Sequence, residues 1–237
     1  MRAFSIGALA LLLAGCATTG QPASSGAAPA GPALAGSKPD AEGAFVSTYY
    51  RADEMANMIA MSKEFGYRIT AFHHAVEAYK IADILKDEGI CSALWADWYG
   101  FKMESYDGIQ ENLPFVHAAG ACAITHSDDA DGIQRLNQET AKALASGRRL
   151  GVQIRDEEAW TWIAINRARA LGIADKVGSL EPGKQADVVL WNGNPLSVYS
   201  RAEKVWVDGA LLYDVHDPTR QPVSDFELGQ PGAGDRK

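Results

Sequence analysis

Three stretches of polar side chains follow short apolar runs of the sequence. The first is Phe72-His73-His74-Ala75, the second is Leu94-Trp95-Ala96-Asp97, and the third is Ile124-Thr125-His126-Ser127-Asp128-Asp129. Imidazole and carboxylate groups together are typical ligands of zinc and similar divalent cations. Such a cation lowers the pKa of a bound water and makes a nucleophile available near neutral pH. The residue types therefore predict a divalent metal site with hydrolytic chemistry.

Strands and helices alternate around these stretches. The predicted strands cover residues 67–72, 90–95 and 121–125, and the predicted helices cover residues 52–65, 76–88, 109–119, 131–146 and 156–171. Strands separated by helices form βαβ units of a parallel sheet. Ligands bind beyond the carboxyl ends of such strands. We therefore expect the three stretches to meet at one edge of an α/β unit.

The last quarter of the chain has a different pattern. Residues 186–191 read as a strand, and Asp208-Gly209 separates two apolar runs within residues 204–213. A dipeptide of this type between apolar runs is a strong hairpin signal. We therefore predict a small antiparallel β unit over residues 173–215, followed by a polar tail over residues 216–237.

The candidate residues also have plainer interpretations. Asp128 and Asp129 are suited to capping the next helix, and His126 could be a solvated loop residue. Three cysteines are too few for a disulfide framework. Cys91 and Cys122 lie in apolar strands, so we expect them to be ordinary core residues.

The N-terminus has the features of an export signal. Arg2 and a short apolar run precede Leu13-Ala14-Gly15-Cys16, which resembles the lipobox of bacterial lipoproteins. This resemblance implies a signal peptide over residues 1–15, a lipid-modified Cys16, and an envelope location at the outer membrane facing the periplasm. A plain secretory signal is the alternative. Residues 16–43, rich in Ala, Gly, Ser and Pro, read as a flexible linker.

Composition narrows the function classes. The 237 residues are 47% hydrophobic and 22% charged, which excludes a mainly disordered or collagen-like chain. The formal net charge is −8, the sign opposite to that of a general nucleic-acid binder. We therefore expect a globular protein that does not bind nucleic acid.

Three motifs carry a family resemblance. They are the run that begins at His74-Ala75-Val76-Glu77, the run Thr125-His126-Ser127-Asp128, and the stretch from Ala170 to Leu190 that contains Gly178-Ser179-Leu180-Glu181-Pro182-Gly183-Lys184. Together they resemble the C-terminal half of metal-dependent amidohydrolases of the imidazolonepropionase-like branch. The resemblance implies an α/β fold over residues 44–172, namely the C-terminal part of a (β/α)8 barrel (about strands 6–8), with the small β unit attached.

The resemblance also implies roles for two residues. His74 matches the metal ligand after strand 6, and Asp128 matches the aspartate after strand 8 that binds metal and shuttles the proton of the attacking water. His73 matches no ligand, and strand alternation predicts that its side chain points away. The implied activity is hydrolysis of an amide, cyclic amide or related C–N bond in a small-molecule substrate, with zinc as the expected metal and the substrate-binding residues unknown.

The chain also departs from the family pattern. It has five histidines and no His-x-His pair, which the family carries on its first strand. Residues 45–49 resemble a segment that precedes the catalytic domain in secreted relatives. Asn166-Arg167-Ala168 stands where the family has Asn-Pro-Ala. With His74 and Asp128 alone the metal site is incomplete, so the chain reads as truncated.

Two main hypotheses follow, and a third is weaker. The first is an envelope-anchored, metal-dependent amidohydrolase. The second is a non-catalytic fragment, or a subunit that associates with itself or with a complementing chain to complete the barrel. The third is a ligand-binding lipoprotein that uses the aromatic residues of the loop at residues 95–106.

Overall fold

The computed structural model describes residues 46–221 and the backbone of residues 2–5. This part of the chain forms one parallel and one antiparallel sheet of four strands each. In chain order the strands are β1 (Arg2–Ser5), β2 (Val46–Thr48), β3 (Ala71–His73), β4 (Cys91–Leu94), β5 (Cys122–Thr125), β6 (Val188–Trp191), β7 (Ala202–Val207) and β8 (Ala210–Asp214). The α-helices are α1 (Ala52–Phe65), α2 (Ala82–Asp87), α3 (Asn112–Ala118), α4 (Leu136–Arg149), α5 (Asp156–Trp160) and α6 (Ile165–Ala170).

The parallel sheet has the order β2-β3-β4-β5 and is covered by helices that follow its strands. One apolar core joins α1, α2 and α3 to this sheet, and it includes Met55, Phe72, Leu85, Leu94 and Leu113. Burying one such side chain stabilises the fold by about 1.5–3 kcal/mol. This packing holds the carboxyl ends of the strands at one edge, as the sequence predicts.

The helix predicted for residues 52–65 is confirmed as α1. It ends where Gly66 adopts a left-handed conformation (φ 70°) and donates its N–H to Ser62 O. The helix predicted for residues 76–88 is shorter, because it begins with a 3₁₀ turn over Ala78–Ile81 and continues as α2. The chain before it is bent by His74, which has a positive φ of 58°.

The single helix predicted for residues 156–171 is wrong, because the structure divides it into α5 and α6. Ala164 adopts φ −118° and ψ −98°, which no helix tolerates. The turn between the helices brings Trp162 O to the backbone N–H of Thr125, at 3.1 Å. A tertiary contact therefore overrides the local helical pattern.

The position of residues 45–49 also differs from expectation. Val46–Thr48 is not a segment outside the catalytic domain but the edge strand β2, parallel to β3 and in register with it from Val46–Ala71 to Thr48–His73. The backbone N–H of Tyr49 then bonds to His73 O at 3.1 Å. The parallel sheet therefore has four strands where the sequence indicated three.

The opposite edge of this sheet is covered by the segment around α6. The Nδ2 of Asn166 donates to Ala123 O and a terminal nitrogen of Arg167 donates to Thr125 O, both at 2.8 Å. Trp162 O accepts the N–H of Thr125, as described above. We call these three residues the edge clamp, because they occupy the backbone groups of β5 that a neighbouring strand would use.

The cysteine prediction is only partly confirmed, since Cys91 lies in an apolar cluster against which Cys122 packs, but the two are not ordinary core residues. Cys91 and Cys122 form a disulfide between adjacent positions of β4 and β5, with a Cα–Cα separation of 4.4 Å. Parallel strands in register place two neighbouring side chains on the same face at this spacing. Sequence spacing alone does not show this pairing, because it depends on the register of two strands 31 residues apart.

The antiparallel sheet has the order β1-β6-β7-β8. The predicted hairpin at Asp208-Gly209 is confirmed between β7 and β8, and both turn residues have positive φ, 49° and 79°. β1 pairs with β6 although it lies within the predicted signal peptide. The rest of that signal, Cys16, the linker and residues 222–237 lie outside the described residues. No helix of the described part is long and apolar enough to cross a membrane.

Candidate metal centre

Three imidazoles and one carboxylate meet at the carboxyl edge of the parallel sheet. His73 ends β3 and His74 follows it, whereas His126 and Asp128 follow β5. Potential ligand nitrogens of His73, His74 and His126 all lie within 4.8 Å of one another. Asp128 places Oδ2 2.7 Å from Nε2 of His74 and Oδ1 3.0 Å from Nε2 of His126. The described residues thus offer four donor groups where the sequence indicated two.

The prediction that the His73 side chain points away from the site is wrong. Its ring lies 4.9 Å from that of His74 and 4.3 Å from that of His126, between centroids, so it faces the cluster. Strand alternation would turn consecutive side chains to opposite faces. That rule fails here because the strand ends at His73, and the left-handed backbone of His74 turns its side chain back toward the same site.

His126 is a member of the cluster and not a solvated loop residue. It is 6% exposed, and its N–H bonds to Leu94 O at 2.9 Å, which continues the β4–β5 ladder by one residue. The sequence signal for this placement was the lack of any turn residue between the apolar strand and His126.

The charge states of the cluster suit metal binding. Burial lowers the pKa of His73 to about 4, with smaller effects from His126 and His74. Burial also lowers the pKa of His74, although Asp128 opposes the shift. Burial raises the pKa of Asp128, but contact with His126 and the charges of both histidines outweigh it and lower the value to about 2. Neutral imidazoles and an ionised carboxylate are the forms that bind cations.

Several ring nitrogens of the cluster are buried without a well-directed hydrogen bond. They are Nε2 of His73, both nitrogens of His74 and Nε2 of His126. Asp128 is close to two of them, but these contacts have ion-pair distance without hydrogen-bond direction. Buried polar atoms normally have a partner. A cation bound by these lone pairs would supply one, so the residues fit a metal.

Two other aspartates at strand ends do not join the cluster. Asp129 accepts the backbone N–H of Gly132 at 2.5 Å and so stabilises the turn before α4. Asp97 forms an ion pair with Lys142 at 2.8 Å. The plainer capping interpretation therefore fits Asp129, whereas Asp128 faces the histidines.

Asn112 and Glu77 hold the loop that carries His74, and sequence reasoning missed both roles. The Nδ2 of buried Asn112 donates to Ala75 O at 3.1 Å and to Val76 O at 2.7 Å. Glu77 accepts the N–H of Ala52 at 2.8 Å, which caps the first turn of α1. No sequence pattern predicts these contacts, because each joins residues more than twenty positions apart.

An aromatic wall borders the cluster. The ring of Trp95 stacks on His74, with centroids 4.8 Å apart and planes 14° apart. Trp98 stacks on Trp95 in turn, at 5.4 Å and 19°. The charge of Lys102 is one of the smaller causes that lower the pKa of His74. The loop predicted to pack or to bind a ligand therefore lies directly beside the candidate metal ligands.

Comparisons with known proteins agree with this arrangement. The chain is 28% identical over 170 residues to the amidohydrolase tasK of Hapsidospora irregularis, covering 70% of this chain and 17% of that protein. It is 55% identical over 108 residues to an imidazolonepropionase of a Shewanella species, covering 46% of this chain and 25% of the relative. The chain therefore spans a quarter or less of the length of these relatives.

Solved structures have the same fold. An amidohydrolase from Thermotoga maritima has a TM-score of 0.64 at 27% identity, covering 71% of this chain and 43% of that one. A zinc-bound adenosine deaminase from Xanthomonas campestris has a TM-score of 0.54 at 16% identity, covering 71% and 45%, and this likeness concerns the fold alone. The four-stranded parallel sheet with its antiparallel partner corresponds to a part of the amidohydrolase barrel architecture. A sequence profile of the amidohydrolase family matches residues 48–213, more than half of the chain, and the chain therefore belongs to the amidohydrolase family.

Proposed function

We propose that this chain is a metal-dependent hydrolase of C–N bonds in amides, cyclic amides or related small molecules. One observation carries the proposal: two buried imidazoles and one half-buried imidazole meet a carboxylate at the carboxyl edge of the parallel sheet. Family membership supports hydrolytic activity. The relatives named imidazolonepropionase support the cyclic-amide class in particular.

The proposed roles extend the sequence prediction. His74 and Asp128 would hold the metal, with His126 and His73 as further ligands. The ligand nitrogens of the three histidines all lie within 4.8 Å of one another, close enough for small side-chain movements to bring them onto one cation. Zinc is the preferred metal, since the donors are nitrogen and carboxylate oxygen and one related structure binds zinc.

Asp128 is also the proposed proton carrier. A bound divalent cation supplies Lewis acidity and a water of lowered pKa. The Asp128 side chain is 28% exposed, whereas that of His74 is 4% exposed, so Asp128 alone of this pair can face a substrate. Its carboxylate is ionised at neutral pH and can accept the water's proton and pass it to the leaving nitrogen.

Activity assays on the full chain test this proposal. Zinc-loaded and metal-stripped protein would be assayed for amine release from cyclic amides and N-acyl amino acids. We expect hydrolysis by the loaded protein, loss in Asp128→Asn, and wild-type rates in His216→Ala, which removes an exposed histidine outside the cluster. Zinc-loaded, folded protein that hydrolyses none of these substrates would contradict the proposal.

A second candidate function is that of a subunit or fragment that needs another chain. The observation that favours it is the exposed edge strand β2, on which Val46 and Thr48 face solvent. Because the edge clamp covers β5, a complementing strand would add at β2. Light scattering would detect such an assembly, and the hydrolysis assay would show activity only when the assembly forms. A monomer with full activity would exclude it.

We also propose that the protein is exported and anchored to the outer membrane through lipid on Cys16, facing the periplasm. The disulfide between Cys91 and Cys122 supports an oxidising compartment. Labelling cells with a fatty-acid probe should mark the wild-type protein but not Cys16→Ser. Equal labelling of both would contradict the anchor, and recovery of the wild-type protein in the cytosol would contradict export.

A further inference from the structure

The loop at residues 95–106, here called the aromatic loop, extends the metal centre toward solvent. Its first two rings form a stack with His74 at the base, then Trp95 and Trp98. Phe101 meets both tryptophans edge-on, with centroids 5.6 Å and 6.0 Å away. The result is a flat apolar wall that begins at the candidate metal ligands and ends at the exposed ring of Phe101.

The wall contains an unused hydrogen-bond donor. Trp95 is 6% exposed, and its Nε1 is buried without an acceptor in the described part of the chain. A buried indole N–H usually finds a partner. This donor therefore points to a ligand oxygen as the missing acceptor beside the metal centre.

Lys102 is the cation of the aromatic loop, and the protein holds it in place. Its Nζ lies 3.9 Å from the ring centroid of Tyr50 and donates to the Tyr50 hydroxyl at 2.5 Å. The Tyr50 ring lies 5.2 Å from that of His74. Tyr50 itself is fixed because its carbonyl accepts the N–H of Glu77 at 3.0 Å. The Tyr50 ring thus lies between the ammonium of Lys102 and the ring of His74, a candidate metal ligand.

The charge of Lys102 is not neutralised by a carboxylate among the described residues. The two other lysines that contact this region are neutralised, since Lys80 pairs with Asp107 at 2.6 Å and Lys142 with Asp97 at 2.8 Å. Glu104 lies two positions from Lys102 in the same loop, yet the two form no ion pair. Lys102 is exposed, so its ammonium, held beside the candidate metal centre, can contact an anionic group of a bound molecule.

We propose that Lys102 binds the carboxylate of the substrate, with the Trp95 indole N–H donating to an oxygen of the same molecule. The aromatic loop would hold a flat or apolar acyl group against Trp98 and Phe101. The substrate class is therefore a carboxylate-bearing amide with an aromatic or planar portion, such as an N-aroyl amino acid. This inference rests on the proposed function, because it takes the histidine cluster as the reacting centre.

Binding measurements test the subsite without requiring turnover. Tryptophan fluorescence of the zinc-loaded full chain would be titrated with N-benzoylglycine and with its neutral amide, N-benzoylglycinamide. We expect the acid to bind at least about tenfold more tightly, because charge-assisted hydrogen bonds are the stronger ones. In Lys102→Met this preference should fall to within about twofold, while Lys102→Arg should keep most of it.

Lys86→Met is the matched control, since Lys86 is an exposed lysine on α2 away from the aromatic loop. Its preference for the acid should equal that of the wild type. Equal affinity for acid and amide, no binding of either, or an unchanged preference in folded Lys102→Met would overturn the subsite. Preference for the acid without hydrolysis of this or any other tested amide would instead contradict the proposed function, and hydrolysis without preference would contradict only the subsite.

Discussion

The two edge strands of the parallel sheet, β5 and β2, differ in what contacts their outer backbone groups. At β5, the backbone groups of Ala123 and Thr125 bond to Asn166, Arg167 and the Trp162 carbonyl. At β2, a strand of three residues presents the exposed residues Val46 and Thr48, and no described strand pairs with its outer side. One edge is therefore closed by side chains, whereas the other is left short and open.

The closed edge is the one that carries metal ligands. His126 and Asp128 follow β5 directly, so a loose β5 edge would loosen two of the four donor groups. A short edge strand such as β2 limits unwanted pairing by its length alone. This chain therefore fixes the outer side of β5 with its own side chains, and β2 is where a further strand could be added.

The Arg167 side chain, which helps to close the β5 edge, is a destabilising buried charge. It is 3% exposed, burial lowers its pKa to about 10, and its Nε has no partner among the described residues. Burying a charge without a counter-ion is expensive. The proline of the family pattern could not donate to Thr125 O, so Asn166-Arg167-Ala168 supplies a bond that Asn-Pro-Ala lacks.

Of the changes that distinguish the two edges, removal of the disulfide should lower the free energy of unfolding the most. This bond ties β4 to β5 across 31 residues of chain, and no disulfide among the described residues holds β2. Reduction should lower the free energy of unfolding by about 2–4 kcal/mol. Urea unfolding with and without dithiothreitol measures this, and the Cys91→Ala/Cys122→Ala variant should not respond to the reductant. An equal midpoint in both conditions for the wild type would show that β5 does not depend on this bond.

Removing a side chain of the edge clamp should lower the free energy of unfolding less than reduction of the disulfide does. Asn166→Ala leaves Ala123 O without its donor inside the protein, which should destabilise the fold by about 1–3 kcal/mol. Arg167→Met should cost less than Asn166→Ala, since it loses one bond but also removes a buried charge. Urea midpoints of the two variants give the order. A larger loss for Arg167→Met would contradict the view that its charge is a burden.

A pH-dependent effect should follow from His117, which lies under the clamp. Its Nδ1 accepts the indole N–H of Trp162 at 3.2 Å, and burial lowers its pKa below the usual 6.5, against a smaller opposing effect of Glu158. The contribution of neutral His117 to the free energy of unfolding is therefore fully present above about pH 6.5, and it is lost as the pH falls. His117→Gln should lose less stability than the wild type between pH 7.5 and pH 5. Identical pH profiles in urea unfolding would rule out this contribution.

Substitution at the open edge should have the smallest effect. Thr48 is exposed on β2, so Thr48→Ala should change the free energy of unfolding by no more than about 0.5 kcal/mol. The same unfolding assay serves, with Asn166→Ala as the comparison. A loss as large as that at the clamp would show that β2 is covered in solution.

Local patterns predicted much of this structure, and contacts between distant residues account for most of the failures. Helix α1, the hairpin at Asp208-Gly209 and the alternation of strand and helix follow from periodicity and turn residues. The meeting of His74 with Asp128 follows from the rule that parallel strands end at one edge. The disulfide, the break between α5 and α6, and the inclusion of His73 depend on register, a tertiary hydrogen bond and one left-handed residue, which no local pattern encodes.

The number of zinc ions bound per chain, and their affinity, is the direct test of the proposed metal centre. The full chain, stripped with chelator, would be titrated with zinc against a competing indicator, alongside His74→Ala, His126→Ala and the control His216→Ala. We predict one zinc per chain, affinity reduced at least about tenfold in the first two variants, and wild-type affinity in the control, because a lost ligand weakens binding whereas an outlying histidine does not. Folded protein that binds no zinc, or whose binding is unaffected by His74→Ala and His126→Ala, would contradict it.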